Sequence, residues 1–161
     1  LLYSSSGGLR LLPLAPGGGK AEPRDFVSVG IRGKFSPDGQ WIVYQSNESG
    51  TNQVYAAPFP GPGGKRQISA NGGTMPRWRR DGKEIFYVNT EDGQLTATEV
   101  TLRGATLDIG REQKLPVTVI RSRGNLYDVS VDGQKFLVAE DGANTSPPLT
   151  LVQNWTGLLR K

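Results

Sequence analysis

A ten-residue unit that occurs three times constrains this chain more than any other feature of its sequence. The first copy spans residues 35–44 (FSPDGQWIVY), and weaker copies span residues 78–87 and 129–138. Each copy places an Asp-Gly pair between two short runs of aromatic and β-branched residues, which is the sequence form of a tight β-hairpin. The three copies therefore predict a chain built from repeated antiparallel hairpins.

The Asp-Gly pairs have the residue types that a tight reversal of the chain requires. They are Asp38-Gly39, Asp81-Gly82 and Asp132-Gly133. The aspartate side chain can accept nearby backbone N–H bonds, and the glycine accepts the left-handed conformation that follows. Metal coordination or acid–base chemistry is the alternative for the three aspartates, but their position before glycine favours a structural turn. We therefore interpret these six residues as turn residues.

Strand patterns around the first turn come in a group of four. They cover residues 34–36, 41–46, 53–58 and 66–69. In the second of these strands Trp41 and Val43 alternate with Ile42 and Tyr44, so both faces are apolar. A strand with two apolar faces is expected where sheets stack on both sides of it.

The spacing of the turns indicates the size of one repeat. Asp81 follows Asp38 by 43 residues, and Asp132 follows Asp81 by 51. A period near 43 with four strands matches the blade of a β-propeller. We place the extra residues of the longer interval in a loop between Arg103 and Arg123, and we expect a weak fourth strand near Leu107 or Lys114.

This division predicts an all-β fold, a partial β-propeller of about three and a half four-stranded antiparallel blades. The whole chain, 1–161, is then one propeller segment. Its predicted parts are a partial blade at 1–34, blades at 35–73 and 74–117, and a last blade at 118–161. Such an open array leaves blade faces uncovered, and we expect exposed apolar surface around Leu1, Leu2, Leu9 and Leu11. The parent chain or a second copy would supply the remaining blades.

Composition supports this fold class and argues against catalysis. A hydrophobic fraction of 35% with 22 Gly and 11 Pro suits a turn-rich β protein better than a helical bundle. The chain contains neither cysteine nor histidine, which removes thiolate and imidazole metal sites, the cysteine nucleophile and the usual general base. The sequence therefore predicts no catalytic, cofactor-binding or metal-binding residues in this segment.

The charge distribution gives one candidate contact site. The net charge is +4, but the basic residues are dispersed, so nucleic-acid binding is not predicted, and no apolar run is long enough for membrane insertion. The densest basic cluster is Arg77, Arg79 and Arg80 around Trp78. These arginines could contact an anionic ligand or partner. The alternative is a core tryptophan flanked by solvated arginines.

The first repeat also resembles a known family. Ser36, Pro37, Asp38, Gly39 and Trp41 carry a similarity to the WD40-like repeat, also called PD40, of TolB-like β-propellers. The second copy departs from the motif with Arg-Arg in place of Ser-Pro, and the third departs with Val in place of Pro. The last part of the chain resembles the C-terminal propeller that follows bacterial serine/threonine kinase domains.

The resemblance implies a non-catalytic module for protein interaction or ligand sensing, with a protein or peptide partner. It implies a larger bacterial parent, either a membrane-anchored protein with a kinase domain upstream or a TolB-like periplasmic protein. A periplasmic or extracytoplasmic location is expected, with the cytoplasm as the alternative. A second hypothesis is the propeller portion of a prolyl-oligopeptidase-like peptidase, or of another hydrolase, whose catalytic domain lies elsewhere.

Overall fold

A computed structural model of the chain describes residues 1–6, 8–13, 22–61, 63–119, 127–139 and 149–153. Over these ranges the chain forms fourteen β-strands, arranged in four antiparallel sheets that follow one another along the sequence. No helix that could cross a membrane is found in this part of the chain.

Each sheet is a meander in which neighbours along the chain are paired. The first sheet contains β1 (Leu2–Ser5), β2 (Gly8–Leu11) and β3 (Arg24–Val27). The second contains β4 (Ile31–Phe35), β5 (Trp41–Ser46), β6 (Gln53–Pro58) and β7 (Arg66–Gln67). The third contains β8 (Thr74–Trp78), β9 (Glu84–Val88), β10 (Gln94–Arg103) and β11 (Thr106–Thr118). The fourth contains β12 (Tyr127–Val129), β13 (Lys135–Ala139) and β14 (Leu149–Gln153).

The Asp-Gly turns lie where the repeat predicted them. They join β4 to β5, β8 to β9 and β12 to β13, and each pair is antiparallel. The second sheet begins at Ile31, so its first strand lies mostly before the predicted repeat limit at residue 35. The limits of the four repeats remain a prediction.

Two features of the strand pattern differ from the expectation. The segment Arg24–Val27 forms β3. This strand was not predicted, because the first two of its four residues are charged. The extra residues after Arg103 do not form a loop up to residue 119, because residues 106–118 continue as the long strand β11. This strand pairs with β10 across two register shifts. These shifts allow β11 to stay paired although apolar and polar residues do not alternate regularly along it.

The second strands of the sheets hold the stack together. All six residues of β5 are buried. Trp41 and Val43 pack in the cluster between the second and third sheets, whereas Ile42 and Tyr44 pack in the cluster between the first and second. The predicted strand with two apolar faces is therefore confirmed, and each face contacts a different sheet.

The next interface repeats this arrangement. Ile85 and Tyr87 face the second sheet, while Phe86 and Val88 join the cluster shared with the fourth sheet. The ring of Phe86 meets that of Phe136 edge to face, with centroids 4.9 Å apart. Such a geometry adds to the stabilisation that burial of the two rings provides.

Indole hydrogen bonds tie the second and third sheets together. Nε1 of Trp78 donates to the carbonyl oxygen of Lys34 at 3.2 Å, and Nε1 of Trp41 donates to the carbonyl oxygen of Gly104 at 3.1 Å. Each tryptophan thus satisfies its polar atom on a backbone group of the neighbouring sheet. The sheets are held in register by directional bonds as well as by apolar burial.

The expected exposure of the first repeat is correct only in part. Leu1 is 66% exposed, but Leu9 is fully buried, and Leu2 and Leu11 are partly buried against the same cluster. Leu9 is covered because its side chain packs with Ile42 and Tyr44 of the second sheet. The stacked antiparallel sheets define an all-β fold, a partial β-propeller, as the sequence predicted.

Truncation of Phe86 to alanine tests the stacking of the third and fourth sheets. We expect Phe86→Ala to lower the free energy of unfolding by about 3–5 kcal/mol, because it leaves a cavity in a fully buried cluster. Ile109→Ala, on the exposed side of β11, is the control and should change stability by about 0.5 kcal/mol or less. Urea unfolding followed by tryptophan fluorescence measures both, and equal losses would contradict the packing.

Candidate interaction surface

The first Asp-Gly turn is closed by a short chain of side-chain hydrogen bonds. The hydroxyl of Ser36 donates to Oδ1 of Asp38 and accepts the backbone N–H of Trp41 at 2.9 Å. The same Oδ1 accepts the backbone N–H of Gln40 at 3.0 Å. Gly39 follows with a φ of 71°, a conformation that costs glycine little. The carboxylate of Asp38 is therefore engaged within its own turn.

The third turn repeats this geometry despite its different sequence. Ser130 donates to Oδ1 of Asp132 and accepts the backbone N–H of Lys135 at 3.0 Å. Oδ1 of Asp132 also accepts the backbone N–H of Gln134 at 3.0 Å. Gly133 has a φ of 70°. The pattern Ser-x-Asp-Gly therefore produces the same turn whether proline or valine stands at its second position.

The second turn replaces the serine hydroxyl by a guanidinium group. Arg79 contacts Oδ2 of Asp81 through Nη2 at 3.0 Å and Oε2 of Glu84 through Nη1 at 3.0 Å. Oδ1 of Asp81 accepts the backbone N–H of Lys83 at 3.0 Å, and Gly82 has a φ of 74°. Arg79 is one of the candidate contacts for a ligand or partner, and its charge lies against two carboxylates of its own hairpin.

The first two turns lie on either side of one cleft. This cleft has a volume of about 600 Å³, and its lining includes Asp38, Arg79, Asp81, Gly82 and Lys83. Charges of both signs face it. Residues 43 positions apart in the sequence thus come together because neighbouring sheets present their turns on the same side.

Hydrogen bonding keeps the third turn aspartate ionised. The hydroxyl of Ser130, with the backbone N–H of Gln134, holds the pKa of Asp132 below its usual value. Both donors stabilise the negative form. The group therefore acts as a hydrogen-bond acceptor at neutral pH. The described residues contain no group of three or more Asp, Glu, His or Cys side chains that could hold a metal ion.

The other two arginines of the predicted cluster lie apart from the cleft. Arg77 is half-buried, and its guanidinium lies 5.7 Å from the ring centroid of Tyr127, a residue of the fourth sheet. The hydroxyl of Tyr127 donates to the carbonyl oxygen of Met75 at 2.7 Å. Arg80 is exposed in the turn. The three arginines therefore do not form one surface, and their role in contacting a partner remains a prediction.

A larger cavity than this turn cleft lies between the first and second sheets. It has a volume of about 930 Å³. Its lining includes Leu11, Pro13, Phe26, Phe35, Tyr44 and Phe59. The Phe59 ring lies 5.1 Å from that of Phe35 and 6.4 Å from that of Phe26, measured between centroids. We call this cavity, with its aromatic wall, the apolar cleft.

The apolar cleft is not predictable from the repeat pattern. Phe35 belongs to the repeat motif and lies at the end of a strand, but it is 36% exposed. Phe26 lies on the unpredicted strand β3, and Phe59 follows β6. The run of proline and glycine after Phe59 is the one feature of the sequence that points to this cleft, because it indicates a loop that leaves the sheet.

Comparison with known proteins supports the fold. No protein-family model and no curated protein matches the chain. The structure is similar to TolB from Acinetobacter baumannii, with a TM-score of 0.59 and 16% identity over 91% of this chain and 35% of TolB. It is also similar to proteins from Bacteroides uniformis and Bacteroides fragilis, each described as a "putative 6-phosphogluconolactonase". Their TM-scores are 0.56 and 0.54 and their identities 18% and 16%.

These similarities identify the fold as a TolB-like β-propeller segment. The Bacteroides matches cover 94% and 91% of this chain but only 50% and 47% of those proteins. The chain thus spans about a third of TolB and about half of each Bacteroides protein.

Substitution of Gly39 tests the turn geometry. Nothing lies within 4 Å of a Cβ built at Gly39, so alanine there should cost only the left-handed backbone conformation, about 1–2 kcal/mol. Gly39→Asn should cost less, because asparagine tolerates this conformation better. Gly64→Ala is the matched control, since its Cβ also meets open space and its φ is not positive. Urea unfolding that ranks Gly64→Ala as the most damaging variant would contradict the turn.

The acid sensitivity of the third turn gives a further prediction. Because the folded pKa of Asp132 lies below the unfolded one, its ionised form stabilises the fold above the unfolded pKa of about 3.9. That contribution is lost as the pH falls through the folded pKa. Asparagine accepts the same hydrogen bonds without titrating. The free energy of unfolding of Asp132→Asn should therefore fall less steeply below about pH 4. Urea titrations at several pH values with identical acid slopes would argue against this role.

Proposed function

We propose that this chain is a non-catalytic β-propeller module that binds a protein or peptide partner. The observation that carries the proposal is the apolar cleft between the first two sheets. An open aromatic wall is suited to receive apolar side chains of a partner, because aromatic rings provide large contact area at low entropic cost. The turn carboxylates support the same interpretation, since their hydrogen bonds stabilise the scaffold.

The rim of the apolar cleft adds polar groups that could orient a partner. Arg24, Asp25 and Lys65 contribute to the lining. Asp25 accepts a hydrogen bond from Nε of Arg10 at 2.7 Å, and Lys65 lies 2.6 Å from Oε2 of Glu48. Both ion pairs are at least partly exposed, so they contribute little to stability. An apolar centre with a charged rim is the usual composition of a protein interface.

We infer that the module belongs to a larger bacterial protein with an extracytoplasmic location. The inference rests on the similarity to TolB and on the resemblance of the repeat to TolB-like propellers. A sensor linked to a serine/threonine kinase and a TolB-like periplasmic protein are the two parents we propose. In both cases the remaining propeller blades and any enzymatic activity would lie outside this segment.

Peptide display tests the proposal. A library of random peptides displayed on phage is selected against the chain, and enriched peptides are assayed by fluorescence anisotropy. We expect peptides rich in apolar residues, with binding weakened about tenfold or more by Phe59→Ala, because a buried aromatic anchor contributes over 1 kcal/mol. The matched control is Ile109→Ala, an exposed apolar residue of β11, which should leave binding unchanged.

Two results would overturn the proposal. The first is a set of peptides whose affinity is the same for Phe59→Ala and for the parent chain. The second is hydrolysis of 6-phosphogluconolactone by the purified chain. This activity is assayed because the two similar Bacteroides proteins are described as putative 6-phosphogluconolactonases. Circular dichroism of Phe59→Ala confirms that loss of binding does not come from unfolding.

A further inference from the structure

One asparagine of the chain is followed directly by glycine. It is Asn71, and the other six asparagines precede larger residues. An Asn-Gly pair is chemically labile, because the backbone nitrogen of glycine can reach the side-chain amide carbon of the asparagine without hindrance from a side chain of its own. The pair lies in the connector of residues 68–73, which links β7 of the second sheet to β8 of the third. A change in the backbone there would act on the junction between two stacked sheets.

The labile pair is exposed on one side and tied to both sheets on the other. Asn71 is exposed, so water reaches its side chain. The N–H of Ala70 donates to Oε2 of Glu112 on β11 at 3.2 Å. The N–H of Gly73 donates to the carbonyl oxygen of Asn52, which precedes β6, at 2.9 Å. The connector therefore fixes the residues on both sides of Asn71.

The nitrogen that would react is itself engaged. The N–H of Gly72 donates to Oε1 of Gln53, the first residue of β6, at 3.1 Å. The same Oε1 accepts the hydroxyl of Ser69 at 2.6 Å, and this hydroxyl accepts the N–H of Val54 at 2.9 Å. The side chains of Gln53 and Ser69 are buried. The acceptor for Gly72 is thus shielded from water and held in place by a second hydrogen bond.

Deamidation at such a pair takes place in two steps. The backbone nitrogen of Gly72 loses its proton and bonds to Cγ of Asn71, the Cγ–Nδ2 bond breaks, and ammonia leaves, which gives a cyclic succinimide. One water molecule then opens the ring to aspartate or to isoaspartate, in which the main chain runs through the side-chain carbon. A nitrogen whose proton is donated to a buried acceptor must give up that hydrogen bond before it can react.

The isoaspartyl product does not fit the folded junction. It adds one carbon atom to the main chain directly before Gly72. Gly72 is buried with a φ of 79°, and a Cβ built on it would lie only 1.9 Å from Oγ1 of Thr90, in the turn between β9 and β10. A close-packed interior has no room for an additional methylene. The lengthened backbone would therefore displace the connector or break its hydrogen bond to Gln53.

We propose that Asn71 is a site of spontaneous deamidation, which the hydrogen bond from Gly72 to Gln53 protects in the folded chain. The site is modified when the junction between the second and third sheets opens and releases the Gly72 nitrogen. Formation of isoaspartate then prevents the junction from closing again. A chain that has opened at this place for long enough is thus changed irreversibly. This inference does not rest on the proposed binding function.

Peptide mapping tests the protection. The chain is incubated in mildly alkaline buffer, and trypsin then releases residues 67–77, which contain Asn71. Mass spectrometry measures the loss of the amide, and methylation by protein isoaspartyl methyltransferase identifies isoaspartate. A synthetic peptide of the same segment gives the unprotected rate. We expect deamidation in the folded chain to be slower than in the peptide by about fivefold or more, the factor that one hydrogen bond of ordinary strength contributes.

Variants of Gln53 separate this hydrogen bond from the rigidity of the connector. Gln53→Ala removes the acceptor and should raise the rate at Asn71 by about fivefold. Gln53→Glu keeps an acceptor oxygen and should stay close to the parent chain. Gln67→Ala is the matched control, because Nε2 of Gln67 donates to the carbonyl oxygen of Ser69 in the same connector at 2.9 Å. Its rate should equal that of the parent chain, and urea unfolding shows whether each variant retains the fold.

A second experiment follows the closing of the junction. The chain is deamidated in guanidinium chloride and returned to native buffer, and the native fraction is isolated by size-exclusion chromatography. We expect isoaspartate at position 71 to be depleted from this fraction. Asn71→Asp, which corresponds to the other product, should have the same midpoint of urea unfolding as the parent chain, because Asn71 is exposed.

Three results would contradict the protected site. They are equal rates in the folded chain and in the peptide, equal rates in Gln53→Ala and Gln67→Ala, and an undiminished share of isoaspartate in the native fraction. The comparison with the peptide uses the parent chain alone, so it remains decisive if Gln53→Ala does not fold. None of these measurements involves Phe59, so the protected site and the apolar cleft can fail separately.

Discussion

The structure depends on strands that are apolar on both faces. One neighbouring sheet can bury only one face of a strand such as β5, in which Trp41 and Ile42 point in opposite directions and both are buried. Burying both faces requires a sheet on each side. The same requirement holds for β9, whose Phe86 and Tyr87 pack in different clusters. Stacking of successive sheets follows from this one constraint.

The turns tolerate change in sequence because the hydrogen bonds matter more than the residue that provides them. Ser36 and Ser130 close their turns through a hydroxyl, whereas Arg79 closes the second turn through its guanidinium. All three bind the carboxylate of an aspartate two residues further on. The repeat can therefore weaken at the level of sequence while the geometry of the hairpin stays the same. Aspartates that hold a turn in this way stabilise the scaffold on which the proposed binding surface lies.

The apolar cleft and the surroundings of the arginine cluster lie between sheets and could be predicted only in part. Phe35 and Arg77 were visible in the repeat, but their partners Phe59 and Tyr127 lie 24 and 50 residues away. Arg79 looked like an unpaired cation, because the sequence does not show that the carboxylates of its acidic neighbours point toward it. Lys34 and Arg77 line one depression only because the first strands of two sheets lie side by side.

The sequence alone determined the all-β class, the three turns and the strands that carry both faces of the stack. These features are local, since turn chemistry and alternation act over fewer than about ten residues. Only the tertiary structure decided that residues 106–118 extend one sheet and that Leu9 is covered by the second sheet. These outcomes depend on contacts between sheets, and the residues that meet there are separated by a whole repeat.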